Sequence, residues 1–196
     1  FAVLAVALSI CAVAAGSDAV YFGLGELNAR AKAQGFDENN VKDLIDYCHL
    51  HGVKCYITLN TMLKNGEKGS LVRLANAAAA AGADAFIVAD IGVARALSHL
   101  DVPLHASTQM GVHNLEGAKY LERYGFTRVV VARETLLEDV RKIKQNTSLE
   151  VEYFVHGALC VAFSGACLMS AVRSGDSGNR GRCLQPCRMH YQSSFG

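Results

Sequence analysis

Six short apolar runs, separated by helical patterns, constrain the fold of this chain more than any other feature of its sequence. The runs are Ala19–Gly23, Lys54–Leu59, Ala85–Ala89, Leu104–Ser107, Arg128–Ala132 and Leu149–Val155. Runs of this length and apolar content are typical of strands that are buried on both faces of a parallel sheet. Amphipathic stretches such as residues 40–51 lie between them, and several of these end in glycine, the residue that commonly ends a helix. The pattern therefore predicts an α/β chain with alternating strands and helices.

Six such units at this spacing fit a (β/α)8 TIM-type barrel that is partial, lacking its first and last strands. An open, doubly wound sheet is the alternative, but the chain contains no G-x-G-x-x-G motif to favour it. With 196 residues, 51% of them hydrophobic, the chain can bury the core of one globular domain. We therefore expect residues 1–155 to form the barrel portion and residues 156–196 to form a Cys-rich loop that continues the same domain.

The first sixteen residues are almost entirely apolar, a composition that both a membrane segment and a core helix can have. They carry no basic residue of the kind that begins a signal peptide, and the run is shorter than the ~20 residues that span a bilayer. They lead into the Gly-Ser-Asp-Ala sequence at residues 16–19, which resembles the Gly-Ala-Asp-Ala sequence before the strand at Ala85. We expect an Ala-rich helix packed on the sheet, no membrane contact and a cytoplasmic protein.

Four of the seven cysteines are concentrated near the end of the chain. Cys160, Cys167, Cys183 and Cys187 follow the spacing C-x6-C-x15-C-x3-C, and the glycines between them allow the segment to fold back so that four thiolates converge. All-cysteine ligation suits either zinc or an iron–sulfur cluster. Structural zinc usually takes two short knuckles, and the first pair here is split by six residues, so the spacing favours a [4Fe–4S] cluster over zinc. Disulfides and buried free thiols are the alternatives without a metal.

In a parallel barrel, the active site is built from residues that directly follow the strands. The polar residues at these places are Arg30, Asn60, Gln109, His113, Arg133, Glu134 and His156. We take Arg133, Glu134 and His156 as candidate catalytic residues, and Arg30, Asn60, Gln109, His113 and Arg133 as candidate substrate-binding residues. For the adjacent Arg133 and Glu134, the alternative to an anion clamp or an acid–base carboxylate is a salt bridge that caps the next helix.

Several motifs in the chain resemble the signature of the peptidase U32 family. They are E-Y-F-V-H-G-A-L-C with C-L-M-S at residues 152–170, N-R-G-x-C-x3-C-R at residues 179–188, N-A-R-A-K-A-Q-G-F at residues 28–36 and H-A-S-T-Q-M-G-V-H-N at residues 105–114. The resemblance covers nearly the whole chain. It implies a barrel of the TIM type and an enzyme.

The activity that the resemblance implies is of two kinds. The family is named for collagenase-type proteases, but several members are oxygen-independent hydroxylases that carry a [4Fe–4S] cluster on cysteines placed like these four. Those members act on tRNA or rRNA pyrimidines or on the ubiquinone ring. We expect an RNA pyrimidine hydroxylase with an RNA substrate and a small organic hydroxyl donor. The resemblance is also compatible with a protein partner.

The alternatives are a U32 peptidase, ubiquinone-ring hydroxylation, and a barrel whose metal site is purely structural. Neither G-x-S-x-G nor H-E-x-x-H occurs, so a peptidase would need a cysteine nucleophile, with Cys160 and His156 close in sequence. The net charge of +1 gives no electrostatic argument for a nucleic-acid partner from the total alone.

Overall fold

The computed structural model describes residues 2–29, 36–157 and 159–192. Its strands are β1 (Ala19–Gly23), β2 (Lys54–Leu59), β3 (Ala85–Val88), β4 (Leu104–Ala106), β5 (Phe126–Val130) and β6 (Glu150–Glu152). Its helices are α1 (Ala2–Ala14), α2 (Val41–Leu50), α3 (Lys68–Ala80), α4 (Ile91–Leu97), α5 (Leu115–Arg123), α6 (Leu137–Asn146) and α7 (Met169–Ser174). Strands and helices alternate as far as β6, as the apolar pattern predicts.

The six strands form one parallel sheet in which each strand pairs with the next one along the chain. This order, β1 to β6 without reversal, is that of a (β/α) barrel, and the six strands form part of one. A doubly wound sheet would reverse its strand order at a switch point, so that alternative is wrong. Because all strands run in the same direction, their carboxyl ends meet at one edge of the sheet.

The predicted strand bounds are confirmed for β1 and β2 and shift for the later strands. β5 begins at Phe126 and ends at Val130, two residues earlier than the apolar run suggests. The ladder register shifts between Leu104 and His105 of β4, and the Ala132 N–H bonds to the Val112 carbonyl of a loop instead of continuing the ladder. β6 is shorter than its apolar run because the chain leaves the sheet after Glu152.

The Ala-rich beginning of the chain is the helix α1, as expected. Among the described residues, no helix is long and apolar enough to cross a membrane. α1 leads into β1 through Gly16, whose φ of +84° is a conformation that favours glycine. The prediction of a helix at this position is therefore confirmed.

The main hydrophobic core lies between the sheet and the helices. Its largest fully buried side chains include Phe86 of β3, Ile45 of α2 and Ile57 of β2. Alternate residues point to the other face of the sheet, which is the inner face of the barrel, where Tyr56, Ala85 and Ile87 form a smaller buried cluster. This division follows from the two-residue period of a strand.

The inner face also carries a charged cluster near the amino ends of the strands. The Arg128 guanidinium bonds to Glu150 and Glu152, and it lies 5.0 Å from the centre of the Tyr56 ring. His105 packs edge-on against the same ring, with 4.8 Å between the ring centroids. Burial and then the positive charge of Arg128 lower the pKa of His105 to about 4, so this histidine is neutral at neutral pH.

Candidate functional site

The side chain of Asn60, which follows β2, forms hydrogen bonds with residues that follow β1 and β4. The Asn60 Oδ1 atom accepts from the Ala29 N–H at 2.9 Å, in the loop that follows β1. The Asn60 Nδ2 group donates to the Ser107 Oγ atom, directly after β4, at 3.1 Å. Asn60 and Ser107 are both buried. Asn60 thus lies at the predicted edge of the sheet, and its buried amide connects the loops that follow β1 and β4.

Gln109 and His113 follow β4 on a short turn. The Ser107 hydroxyl accepts from the Gln109 N–H at 3.2 Å, and the turn at residues 108–110 ends at Gly111 with a φ of +67°. The His113 Nδ1 atom lies 2.8 Å from the Gly111 carbonyl, so Nδ1 carries the proton and Nε2 is left as an acceptor when the ring is neutral. His113 is exposed and Gln109 is half-buried, so both side chains lie at the surface of the strand-end region.

Arg133 follows β5 and has an unsatisfied buried donor. Its Nε atom is buried and has no hydrogen-bond partner within residues 2–29, 36–157 and 159–192. A buried donor without a partner is uncommon in folded proteins and calls for an explanation. A guanidinium group with a free N–H is suited to bind a carboxylate or phosphate.

Glu134, the next residue, is engaged by Ser164, which lies between the first two cysteines of the C-terminal cluster. The Ser164 hydroxyl donates to Glu134 Oε2 at 3.1 Å, and the Ser164 N–H donates to the other carboxylate oxygen. Partial burial raises the pKa of the Glu134 carboxyl, but hydrogen bonds from its own backbone and from Ser164, with the charge of Arg133, bring it below its ordinary value. Glu134 is thus an ionised carboxylate at neutral pH, and it holds the segment that carries the cysteines.

Arg180 makes a second attachment of this cysteine segment, which we define as residues 156–196. The Arg180 guanidinium forms a two-pronged ion pair with the Glu67 carboxylate and donates to the Met62 carbonyl, both in the region after β2. The hydrogen bond from Arg180 is the main cause that lowers the pKa of Glu67. The cysteine segment is therefore attached at two separate places to loops that follow the strands, through Ser164 after β5 and through Arg180 after β2.

The four cysteines of the segment are free thiols, and three of them, Cys160, Cys183 and Cys187, are exposed while Cys167 is half-buried. In the described part of the chain, no three histidine, cysteine, aspartate or glutamate side chains are arranged to hold a metal ion. The chemistry of the four thiols nevertheless suits a cluster or zinc, because none is used in a disulfide.

Hydrogen bonds connect the backbone stretches on which these cysteines lie. The side chain of Arg188, which follows Cys187, donates to the carbonyl of Leu159, which precedes Cys160, at 2.7 Å. The N–H of Leu184, which follows Cys183, donates to the buried hydroxyl of Ser170 at 3.0 Å, three residues after Cys167. The stretch that carries Cys160 and Cys167 is therefore hydrogen-bonded to the stretch that carries Cys183 and Cys187. The four sulfur atoms themselves do not lie around one point.

The remaining candidates from the sequence lie apart from these contacts. His156 is exposed at the start of the cysteine segment, and no histidine forms a hydrogen bond with any of the four thiols among the described residues. Arg30 lies outside the described residues. Sequence reasoning missed Ser164 and the Glu67–Arg180 pair, and the only local signal for Ser164 is that a small polar residue and a glycine stand between two cysteines.

The chain matches the family model described as Peptidase family U32 over residues 7–194. It is 43% identical over 186 residues to the protein named 23S rRNA 5-hydroxycytidine C2501 synthase of Escherichia coli. The aligned region covers 92% of this chain and 27% of that protein. It is 39% identical over 181 residues to tRNA hydroxylation protein P of Helicobacter pylori, covering 90% of this chain and 43% of that protein.

A relative of another kind is the protein named Collagenase of Porphyromonas gingivalis, which is 34% identical over 194 residues, covering 93% of this chain and 47% of that protein. The chain therefore spans about a quarter to a half of the length of these curated relatives. The solved structure of a U32 peptidase superposes with a TM-score of 0.59 at 21% identity, covering 70% of this chain and 60% of that one. This likeness is one of fold.

Proposed function

Because the chain belongs to peptidase family U32, we propose that it is the barrel portion of an iron–sulfur-dependent enzyme that hydroxylates pyrimidines in rRNA or tRNA without O2. Relatives named for rRNA and tRNA hydroxylation match it over nine-tenths of its length and support this reaction class. The observation of this chain that carries the proposal is the attachment of the loop between two of the four free thiols, Cys160 and Cys167, to Arg133 through Ser164, at the carboxyl ends of the strands. We also propose that the reaction takes place in the cytoplasm, where rRNA and tRNA are found.

The four thiols of Cys160, Cys167, Cys183 and Cys187 are the residues that would hold the cluster, and zinc is the alternative occupant. This assignment is supported by the donor set itself, which consists of four free thiols on loops that are connected by hydrogen bonds. When bound, an iron–sulfur cluster supplies one-electron redox chemistry to the site. The thiols of Cys160, Cys183 and Cys187 are exposed, so a metal ion can reach them.

Arg133 is assigned to bind an anion, either the carboxylate of a small organic hydroxyl donor or a phosphate of the RNA. Its Nε has no hydrogen-bond partner among the described residues, so no protein acceptor holds the guanidinium through that atom, and the half-buried side chain can turn toward an anion. His113 is exposed, and its Nε2 atom, an acceptor in the neutral ring, is available to orient the same ligand. Gln109, half-buried on the same turn, offers amide groups that can pair with a base edge.

The charge distribution supports an RNA partner, although the total charge does not. The cysteine segment contains four arginines and one aspartate, a net charge of +3, whereas residues 1–155 contain 15 basic and 17 acidic residues, a net charge of −2. Two exposed aromatic side chains lie in the same segment: Phe163, directly before Ser164, and Tyr191, under the Arg173 guanidinium at 5.2 Å. Arginine and exposed aromatic rings together are typical of surfaces that stack unpaired bases.

A peptidase is the second candidate, since one relative is named Collagenase. A cysteine peptidase needs a histidine base within hydrogen-bond reach of its thiol. In residues 2–29, 36–157 and 159–192, the one hydrogen bond to a cluster thiol is donated to Cys183 Sγ by the Gln185 N–H. The described residues therefore do not supply the histidine–thiol contact that a cysteine peptidase needs, and the names of the hydroxylation relatives favour the hydroxylase.

Deletion of the gene, followed by mass spectrometry of the nucleosides in total RNA, tests the proposal. We expect one hydroxylated pyrimidine nucleoside to disappear, and to return with the wild-type gene but not with Arg133→Ala. Arg141→Ala, which changes an exposed arginine of α6, is the matched control and should restore the nucleoside fully. Unchanged RNA nucleosides, with gelatin cleavage that needs Cys160 but no iron, would instead establish the peptidase.

A further inference from the structure

Ser164 is a buried polar residue within a segment that is otherwise largely exposed. It is 7% exposed, whereas its neighbours Val161 and Phe163 are 84% and 72% exposed. It lies between Cys160 and Cys167, four residues after the first and three before the second. A polar side chain is buried in such a place only when its hydrogen bonds compensate for lost water.

The Ser164 hydroxyl bonds to residues that follow β4 and β5. It accepts from the Arg133 N–H at 3.3 Å and donates to Glu134 Oε2 at 3.1 Å. The Thr108 hydroxyl lies 3.4 Å away and shares its one proton between Ser164 and the Val131 carbonyl. The Ser164 N–H also donates to the Glu134 carboxylate. We call these four residues, Thr108, Arg133, Glu134 and Ser164, the Ser164 anchor.

The backbone beside the anchor fits so closely that it admits no larger residue. Gly165 has a φ of +76°, and a Cβ atom added there would lie 2.1 Å from the Gln109 carbonyl oxygen. A Cβ on Gly111 would lie 3.1 Å from the Ser164 carbonyl oxygen. The segment between the two cysteines is thus in direct backbone contact with the turn that follows β4.

We propose that Glu134 and Ser164 are positioning residues that fix the Cys160–Cys167 loop over the ends of β4 and β5, beside Arg133. The position of the loop is argued from the anchor contacts alone. The expected effect on iron binding rests on the proposed function. It assigns Glu134 a role different from acid–base catalysis, because both carboxylate oxygens accept hydrogen bonds from Ser164. The carboxylate acts through the loop that it holds.

The test compares Glu134→Ala and Ser164→Ala with the matched controls Glu138→Ala and Ser98→Ala, which change exposed residues of α6 and of the end of α4. Hydrogen exchange in metal-free protein should show the residue-164 amide exchanging about 10- to 100-fold faster in Glu134→Ala, the value of one hydrogen bond to a charged group. Alkylation of the half-buried Cys167 should accelerate in both anchor variants. The fully buried Cys48 and Cys55 should stay unreactive.

After anaerobic reconstitution, both anchor variants should also retain less than half of the wild-type iron, and the controls should retain all of it. Glu134→Gln keeps one acceptor for the Ser164 N–H and should recover part of both effects. Gly165→Ala, which changes none of the four anchor residues, should reproduce the loss because its Cβ displaces the loop that carries Ser164.

Wild-type exchange at residue 164 and wild-type iron in both anchor variants would overturn the proposal. It also fails if the variants expose Cys48 and Cys55, since Glu134 and Ser164 would then stabilise the whole fold. If the wild-type protein binds no iron but exchange still accelerates in the variants, the anchor stands and the metal site of the proposed function is wrong.

Discussion

Replacing Arg133 by methionine should have opposite effects on stability and on activity. The buried Arg133 Nε has no hydrogen-bond partner among the described residues, so the folded protein without ligand carries an unsatisfied donor. Methionine keeps most of the apolar stem of arginine and removes the guanidinium. The Arg133 N–H, which bonds to Ser164, is part of the backbone and is retained.

The magnitudes follow from the cost of an unsatisfied buried donor and the value of a charge-assisted hydrogen bond. A buried unsatisfied donor costs about 1–3 kcal/mol, and because Arg133 is only half-buried as a residue, we take the lower end. The free energy of unfolding should therefore stay unchanged or rise by about 1 kcal/mol. A hydrogen bond to a charged ligand contributes about 1.5–3 kcal/mol, so the rate at low substrate should fall about 10- to 100-fold.

Urea unfolding of the purified variant measures the first quantity, and the rate of RNA hydroxylation by the full enzyme measures the second. Arg133→Lys keeps the charge but loses the planar fork, and it should fall between the wild type and Arg133→Met. Arg141→Met is the surface control. A loss of more than about 2 kcal/mol in unfolding free energy, with hydroxylation retained, would refute the reasoning and make Arg133 a structural residue.

Two further predictions concern the charged contacts away from Arg133. The folded pKa of His105 is about 4, below an unfolded value of about 6.5. The stabilisation of the folded state by neutral His105 is therefore fully present above pH 6.5, and it is lost as the pH falls toward 4. Urea unfolding at pH 7 and pH 5 should show a loss of up to about 2 kcal/mol that His105→Phe lacks, and equal pH dependence would contradict this. Arg180→Ala should lower stability by about 1–2 kcal/mol, since its half-buried pair with Glu67 is two-pronged. A double-mutant cycle with Glu67→Gln measures the coupling, and a value below about 0.3 kcal/mol would show that the pair contributes nothing.

The architecture could be predicted from the sequence because its determinants are local and periodic. Apolar runs and the glycines that end helices gave the bounds of β1 and β2 and the barrel order, since parallel strands joined by helices leave few other arrangements. The later strands were less well predicted. The run Arg128–Ala132 has the apolar content of a strand, but its last residue, Ala132, bonds to a loop, and nothing in the run itself indicates that.

The site was predicted only as far as the chain order determines it. Residues that follow strands could be placed at one edge of the sheet, and Asn60 and Arg133 lie there. The different roles of the neighbours Arg133 and Glu134 could not be predicted, because they depend on contacts with a residue 30 positions away. Ser164 was missed for the same reason, since its hydrogen bonds are long-range and its sequence surroundings are those of a loop.

The iron and sulfide content of anaerobically purified and reconstituted protein tests the proposed four-cysteine site most directly. We expect roughly four iron and four sulfide atoms per chain, with iron lost in the serine variant of each cluster cysteine: Cys160, Cys167, Cys183 and Cys187. Cys11→Ser, which changes an exposed cysteine of α1, should keep the wild-type content. Full occupancy by zinc without iron or sulfide, or iron that survives all four substitutions, would contradict the proposed cluster.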